Sequence, residues 1–383
     1  MQKDTQILPG ILKAESCELV CGNSRVIMLS HAAAVTPSGA TAVDWFMANG
    51  LGKLVGVMGP EHGFLGHAPA GVPCRSFRHP VWRLPVYSLY GKNRAPKRDW
   101  LRKADVLLVD LQDLGYRPYT YVSTLLLAMQ AAAHCGMPVV VADRPIPLPH
   151  VVDGPMLDPR FESFVGRVAV PLCYGMTPGE MARWIHKQML PDLPLTVLPM
   201  EGFSRKSVGL AHGLPWVSPS PSIRSPETAV VYPATVGLEG LPHIDHGRFS
   251  VMPFQLIGAP WIEPQILAEL LMERALPGVA FHPYVYVPAA GRKPLPGVRL
   301  AVLDARSFRP IEVFVHLLHV LTLRYGRKRV WMHPAARPDF FDQLMGTDRI
   351  RTGLSEGVNP AVLIQEWTSD VYLRQRRDAL LYR

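Results

Sequence analysis

Along the first two hundred residues, short continuous apolar runs alternate with longer segments whose apolar positions recur at helical spacing. Arg25–Leu29, Leu54–Met58, Asp105–Asp110, Pro138–Ala142 and Leu195–Leu198 read as strands. Ala40–Ala48, Tyr121–His134 and Thr177–Gln188 read as helices, the second stopped by Gly136. A strand that is apolar at every position has no wet face. The pattern therefore predicts a parallel sheet covered by helices on both sides. From about residue 200 the texture changes. Leu214–Pro221 and Tyr232–Phe254 are rich in Pro, Gly and aromatics, which predicts long ordered loops. Beyond Gly258 the pattern gives a helix near Gln265–Arg274, strands near Tyr284–Val287 and Val298–Leu303, and helices near Ile311–Tyr325 and Pro360–Leu373. The expected class is α/β: a parallel-sheet domain over residues 1–245 and a smaller α+β domain over 246–383.

In open parallel sheets, ligands bind beyond the carboxyl ends of the strands. Three of the expected strands end in charged groups there: Leu54–Met58 at Gly59-Pro-Glu-His-Gly63, Asp105–Val109 at Asp110-Leu-Gln-Asp-Leu-Gly-Tyr-Arg117, and Pro138–Ala142 at Asp143-Arg144-Pro145. One shared crevice is expected. Its glycines do not form the Gly-x-Gly-x-x-Gly turn of a nicotinamide site, and no Gly-x-Ser-x-Gly elbow marks a serine hydrolase. Carboxylates are the better lead, because glycoside hydrolysis needs an acid for the leaving oxygen and often a second carboxylate. Glu61 leads as the acid, since burial behind an apolar strand would raise its pKa; alternatively it caps a helix or pairs with an arginine. Asp110, Asp113 and Asp143 are candidates for the second carboxylate and equally for helix N-caps. Arg117 sits among Tyr116, Tyr119 and Tyr121, either as a carboxylate fork beside sugar-stacking rings or as a cover for the sheet end.

Composition narrows these readings. The chain is 48% hydrophobic and 19% charged, which excludes extended disorder. Its formal net charge of +9 is densest at Lys92–Lys103 and Arg374–Arg377. Such runs serve either an anionic polymer or solvated helix faces, and no base-stacking motif accompanies them, so nucleic acid is not the expected partner. Five sparse cysteines are not a disulfide framework. Neither they nor His62, His67, His79, His243 and His246 have zinc-ligand spacing, so no metal is expected. No run approaches the ~20 apolar residues of a membrane span, and no apolar signal region follows Met1–Thr5. A cytoplasmic protein is expected from the sequence as written, or a periplasmic or secreted one if upstream residues were removed.

Several segments together resemble the exo-β-N-acetylmuramidase family, long described only as a conserved domain of unknown function. They include Gly59-Pro-Glu-His-Gly-Phe64, Leu84-Pro-Val-Tyr-Ser-Leu-Tyr-Gly91, Asp110-Leu-Gln-Asp-Leu-Gly115, Asp143-Arg-Pro145, Ser163-Phe-Val-Gly166, Leu214-Pro-Trp-Val217, Glu239-Gly240 and Gly258-Ala-Pro-Trp261. The resemblance implies a Rossmann-like larger domain, a smaller second domain and a cleft between them. It implies release of N-acetylmuramic acid from the non-reducing end of peptidoglycan fragments, without metal or nucleotide cofactor. Glu61 matches the family's proposed catalytic glutamate. Arg117, Arg144 and Arg248 suit the lactyl carboxylate of muramic acid. His62, Asp113, Tyr119, Tyr121, Asp143 and Glu239 are expected at the substrate. The family usually carries a second glutamate in a Ser-Glu-Gly-Arg-Gly segment, where this chain has Asp245 and His246. Asp245 is the expected second carboxylate, with His246 as the alternative, an acid–base group tuned near neutral pH. Pro118, Ile146, Tyr174 and Ser222 replace a usual Phe, Asn, His and Asn. A weak or inactive homologue that binds cell-wall sugars is the rival reading.

Overall fold

The computed structural model describes residues 6–206, 208, 213–367 and 369–382. The expectation about Met1–Thr5, and the part of the expected last helix at Thr368, lie outside the described residues. The strands are β1 (Arg25–Ser30), β2 (Lys53–Gly59), β3 (Phe77–Arg78), β4 (Pro85–Ser88), β5 (Val106–Asp110), β6 (Val139–Ala142), β7 (Asp153–Met156), β8 (Pro171–Cys173), β9 (Leu195–Leu198), β10 (Leu256–Gly258), β11 (Val279–Tyr286) and β12 (Leu295–Val302).

Seven of them form one sheet in the order β3-β4-β2-β1-β5-β6-β9, parallel except where β3 pairs with β4. The apolar runs work as expected for a sheet with two dry faces. Ile27, Leu29, Leu107, Val109, Val139 and Val141 enter one core, and Val26, Met28, Leu108, Val140 and Ala142 enter the other. Helices Tyr121–His134 and Pro178–Met189 cover the sheet where the sequence places them. The latter starts on a capping box, in which Thr177 and Glu180 each serve the other's backbone N–H.

A smaller three-stranded antiparallel sheet, β10-β12-β11, packs against helix Pro264–Met272, which in turn packs on helix Pro310–Tyr325. Three local expectations need correction. Tyr232–Phe254 is not simply loop, because Tyr232–Ala234 and Val236–Gly240 wind into 3₁₀ turns behind the short helix Pro226–Val231. β11 starts five residues before Tyr284, since Val279, Ala280 and Phe281 are buried while His282–Val285 are exposed, which hides the strand's period. The expected helix Pro360–Leu373 is two helices, Pro360–Gln365 and Asp370–Arg377, the second opened by the Ser369 hydroxyl accepting from the Tyr372 N–H at 3.1 Å. All five cysteines are free. Among the described residues, no helix is long and apolar enough to cross a membrane.

The carboxyl edge of the large sheet is dense with buried charge. Arg144 donates to both oxygens of Asp110, with Nη2 at 3.0 Å from Oδ2, and its Nη1 donates to the Val35 carbonyl at 2.8 Å. Both side chains are essentially inaccessible. Removing one partner of such a pair leaves the other charge desolvated and unpaired, at a cost of about 3–5 kcal/mol. Asp110→Ala should therefore lower the unfolding free energy measured in urea by that amount, and an unchanged stability would contradict the pairing.

Candidate active site

A cavity of about 520 Å³ opens beyond the carboxyl end of β2, the place expected of a parallel sheet. β2 delivers its chain into the turn Gly59–Phe64. Gly59 is required there, because a Cβ at that position would lie 2.5 Å from the Phe64 nitrogen. His62 adopts a left-handed backbone, φ 69°, unusual for a residue with a side chain. Its Nδ1 bonds the Ala68 carbonyl at 2.8 Å, which steadies the turn. Burial lowers the pKa of the His62 ring.

This turn presents Glu61 to the cavity, buried to 5% exposure. The Gly71 N–H donates to Oε1 at 2.9 Å and the Thr120 hydroxyl to Oε2 at 2.7 Å. Thr120 stands immediately before helix Tyr121–His134, so two segments of the large sheet's edge fix one carboxylate. The Tyr90 hydroxyl lies near Glu61, and burial together with the Glu61 charge pushes its pKa up to about 12.

The cavity wall holds a second carboxylate, that of Glu239, from the 3₁₀ turn Val236–Gly240. Arg248 Nη1 donates to its Oε1, and Arg337 Nη2 donates to its backbone carbonyl. Burial raises the Glu239 pKa against the opposing charges of Arg248 and Arg337, and the nearby charge of Glu61 adds to the rise. Tyr119, Phe164, Tyr232 and Phe340 supply aromatic surface to the same wall. Two carboxylates beside aromatic faces are the equipment of glycosidic bond cleavage. Among the described residues, no three His, Cys, Asp or Glu side chains converge as metal ligands would.

Five of the expected site residues thus meet at the cavity: Glu61, His62, Tyr119, Glu239 and Arg248. The others do not reach its wall. Arg117 is fully buried and donates to the carbonyls of Pro155, Val170 and Met345 at 3.1, 2.6 and 2.7 Å. Arg144 is held by Asp110. Neither guanidinium is open to a substrate carboxylate, which corrects that expectation. Asp113 accepts from the Tyr174 hydroxyl at 2.6 Å and the Leu114 N–H at 2.7 Å, and burial pushes its pKa up to about 6. Asp143 accepts from the Thr177 and Tyr382 hydroxyls, each at 2.7 Å, and from the Gly179 N–H. Burial and the Glu180 charge push its pKa up to about 7. The Tyr121 hydroxyl donates to the Pro219 carbonyl at 2.8 Å. All five groups serve the packing of the sheet edge.

Asp245 and His246 also depart from expectation. Asp245 accepts from the Gly247 N–H at 2.7 Å and the Tyr286 hydroxyl at 2.6 Å, which anchors its loop to the small sheet. His246 is buried with its ring 5.2 Å from that of Phe254, and burial plus the Arg248 charge lower its pKa to about 3. It does not titrate near neutrality. Arg337 and Phe340 carry no signal that singles them out in the sequence, whereas Arg94 belongs to the basic run Lys92–Lys103, Thr120 stands between the expected Tyr119 and Tyr121, and Tyr90 and Phe164 lie inside the resembling segments.

Two family models, described as the N-terminal and C-terminal parts of the exo-beta-N-acetylmuramidase NamZ, match residues 26–227 and 230–382. The chain belongs to the NamZ family. A peptidoglycan beta-N-acetylmuramidase NamZ of Bacillus subtilis (strain 168) is 35% identical over 364 residues, 94% of this chain and 87% of that one. A crystal structure of a DUF1343 family protein from Bacteroides fragilis superposes with a TM-score of 0.91 at 31% identity, covering 99% of this chain and 100% of that chain. A second DUF1343 protein of the same organism gives 0.75 at 26% identity, with 98% and 99% covered. Of this chain's departures from the usual NamZ pattern, Pro118 and Ser222 stand in the cavity wall, while Ile146 packs under Gly115 and Tyr174 holds Asp113. Because Asp245 braces a loop, Asp245→Asn should leave kcat within a few-fold. It should lower stability by about 1 kcal/mol, the scale of a hydrogen bond. Loss of turnover in a folded, equally stable variant would show that Asp245 acts on substrate.

Proposed function

We propose that the chain is an exo-acting glycoside hydrolase that releases N-acetylmuramic acid from the non-reducing end of peptidoglycan fragments. The observation that carries this reading is the pairing of Glu61 and Glu239 in one cavity. The cavity volume of about 520 Å³ is in the range of sites that take a small-molecule ligand. The substrate class comes from the similarity to the Bacillus subtilis muramidase. The division at residue 245 belongs to the same reading: residues 1–245 bring Glu61 and Glu239, and residues 246–383 bring Arg248, Arg337 and Phe340 across the cleft.

In the proposed reaction Glu61 gives its proton to the glycosidic oxygen as the bond to the leaving sugar breaks, and water adds to the anomeric carbon, its proton restoring the acid. Thr120 and the Gly71 N–H hold its carboxyl in one orientation, which matters because errors near 1 Å cost ~10²-fold in rate. Glu239, braced by Arg248, is the carboxylate that offsets the positive charge developing on the sugar ring. A sugar-binding homologue without turnover draws its support from this chain's departures from the family pattern. Asp245 and His246 lie outside the cavity wall, and Pro118 and Ser222 stand in it, but Glu61 and Glu239 are both kept there.

Turnover of a chromogenic β-N-acetylmuraminide, measured beside the matching glucosaminide, tests the reading, and absence of muraminide turnover rejects it. Glu61→Gln should keep the fold and lower kcat by at least ~10²-fold, the usual range for general acid catalysis. A folded, fully active Glu61→Gln protein would remove Glu61 from the mechanism.

The pH profile tests Glu239. Its carboxyl must be ionised in the proposed role, and its pKa is raised, so kcat/KM should fall on the acid side earlier than an ordinary glutamate would dictate. Arg248 opposes that rise. Arg248→Met should therefore move the acid limb to higher pH. A limb that stays in place, or moves down, would exclude Glu239 as the titrating group.

A further inference from the structure

The cavity wall is not electrically balanced. Three guanidiniums, of Arg94, Arg248 and Arg337, face two carboxylates, of Glu61 and Glu239, and His62, the only histidine in the wall among the described residues, has its pKa lowered by burial. The three cations are held differently. Arg248 is ion-paired to Glu239, and Arg337 donates to the Glu239 carbonyl. Arg94 has no ion pair or hydrogen bond to protein among the described residues.

Arg94 is nevertheless positioned. Its guanidinium lies 4.4 Å from the ring centroid of Phe164 and 5.7 Å from that of Tyr90, two rings that themselves pack 5.8 Å apart. Stacking on a ring engages the face of a guanidinium and leaves its N–H edge free, the edge that matches a carboxylate with two parallel hydrogen bonds. Tyr90 also stands next to Glu61, whose charge acts on its hydroxyl, so one side chain neighbours both the cation and the proposed acid. Arg94 and Glu61 line the same cavity, so one ligand can engage both.

We infer that Arg94 is the specificity-determining residue that binds the carboxylate by which a muramic acid differs from a glucosamine. The inference rests on the muramidase reading and assigns within it a role that Arg117 and Arg144 cannot take. Phe164 and Tyr90 keep the fork in place, and filling the cavity removes the water that screens an open ion pair.

The test compares the parent protein with Arg94→Met and Arg94→Lys. The probes are a chromogenic β-N-acetylmuraminide, the methyl ester of its lactyl carboxyl group, and free N-acetylmuramic acid and N-acetylglucosamine as competitors. In the parent, the free acid should be the better substrate and N-acetylmuramic acid the better competitor. Arg94→Met should raise KM for the acid at least ten-fold, change kcat less, and leave KM for the ester and competition by N-acetylglucosamine near parental values. Arg94→Lys keeps the charge without the fork and should fall between. A parent that prefers the acid, with an Arg94→Met variant keeping that preference, overturns the assignment and leaves the muramidase reading standing. Equal weakening towards acid and ester also overturns it, because a structural arginine would behave so. A parent that does not turn over the muraminide overturns both.

Discussion

The desolvation of ionised groups at the carboxyl edge of the large sheet is the constraint on which the rest of the structure depends. A sheet dry on both faces brings its strand ends into the core, and a charge left there unpaired is far costlier than one in water. Each buried charge on that edge has its own answer. Asp110 takes Arg144, Asp143 takes two hydroxyls and an N–H, and Arg117 takes three carbonyls from separate segments. The last is also a link between regions, since Met345 belongs to the C-terminal part of the chain and Pro155 and Val170 to the N-terminal part.

The same constraint separates structural from chemical charge. A group whose lone pairs and protons are all taken by protein has nothing to offer a substrate. Glu61, Glu239 and Arg94 differ from the buried set because each lines open space while part of its surroundings is fixed. For Glu61 the fixing partners are an N–H and a hydroxyl; for Glu239, an arginine; for Arg94, the faces of two rings. Each is oriented without being used up. That combination of rigidity and vacancy is what a reacting or recognising side chain needs.

Strand-end chemistry was legible in the sequence, and its assignment was not. Asp110, Asp113, Asp143, Arg117 and Arg144 have the residue types and positions of site residues, and all belong to the sheet edge. Position at the carboxyl end of a strand brings a residue near the crevice, but whether its side chain turns inward or outward depends on the neighbours packed against it. Asp245 illustrates the second difficulty. As the carboxylate where the family carries another, it looks like a direct replacement, yet the Tyr286 hydroxyl from β11 claims it. Glu239, six residues earlier, reaches the cavity because its 3₁₀ turn faces that way.

By itself, the sequence determined the parallel sheet, because runs apolar at every position have only one stable environment. It also determined the place of the crevice and Glu61 within it, since the Gly59–Gly63 turn is local and its geometry is written in its glycines and proline. Only the tertiary structure decided which charges pair with one another and which remain for a ligand. Arg117 and Met345 are far apart in the chain, as are Arg94 and Phe164, and no local pattern records such encounters. The free energy that assigns a charge to the core or to the cavity comes from desolvation by those distant neighbours, so it exists only once the chain has folded.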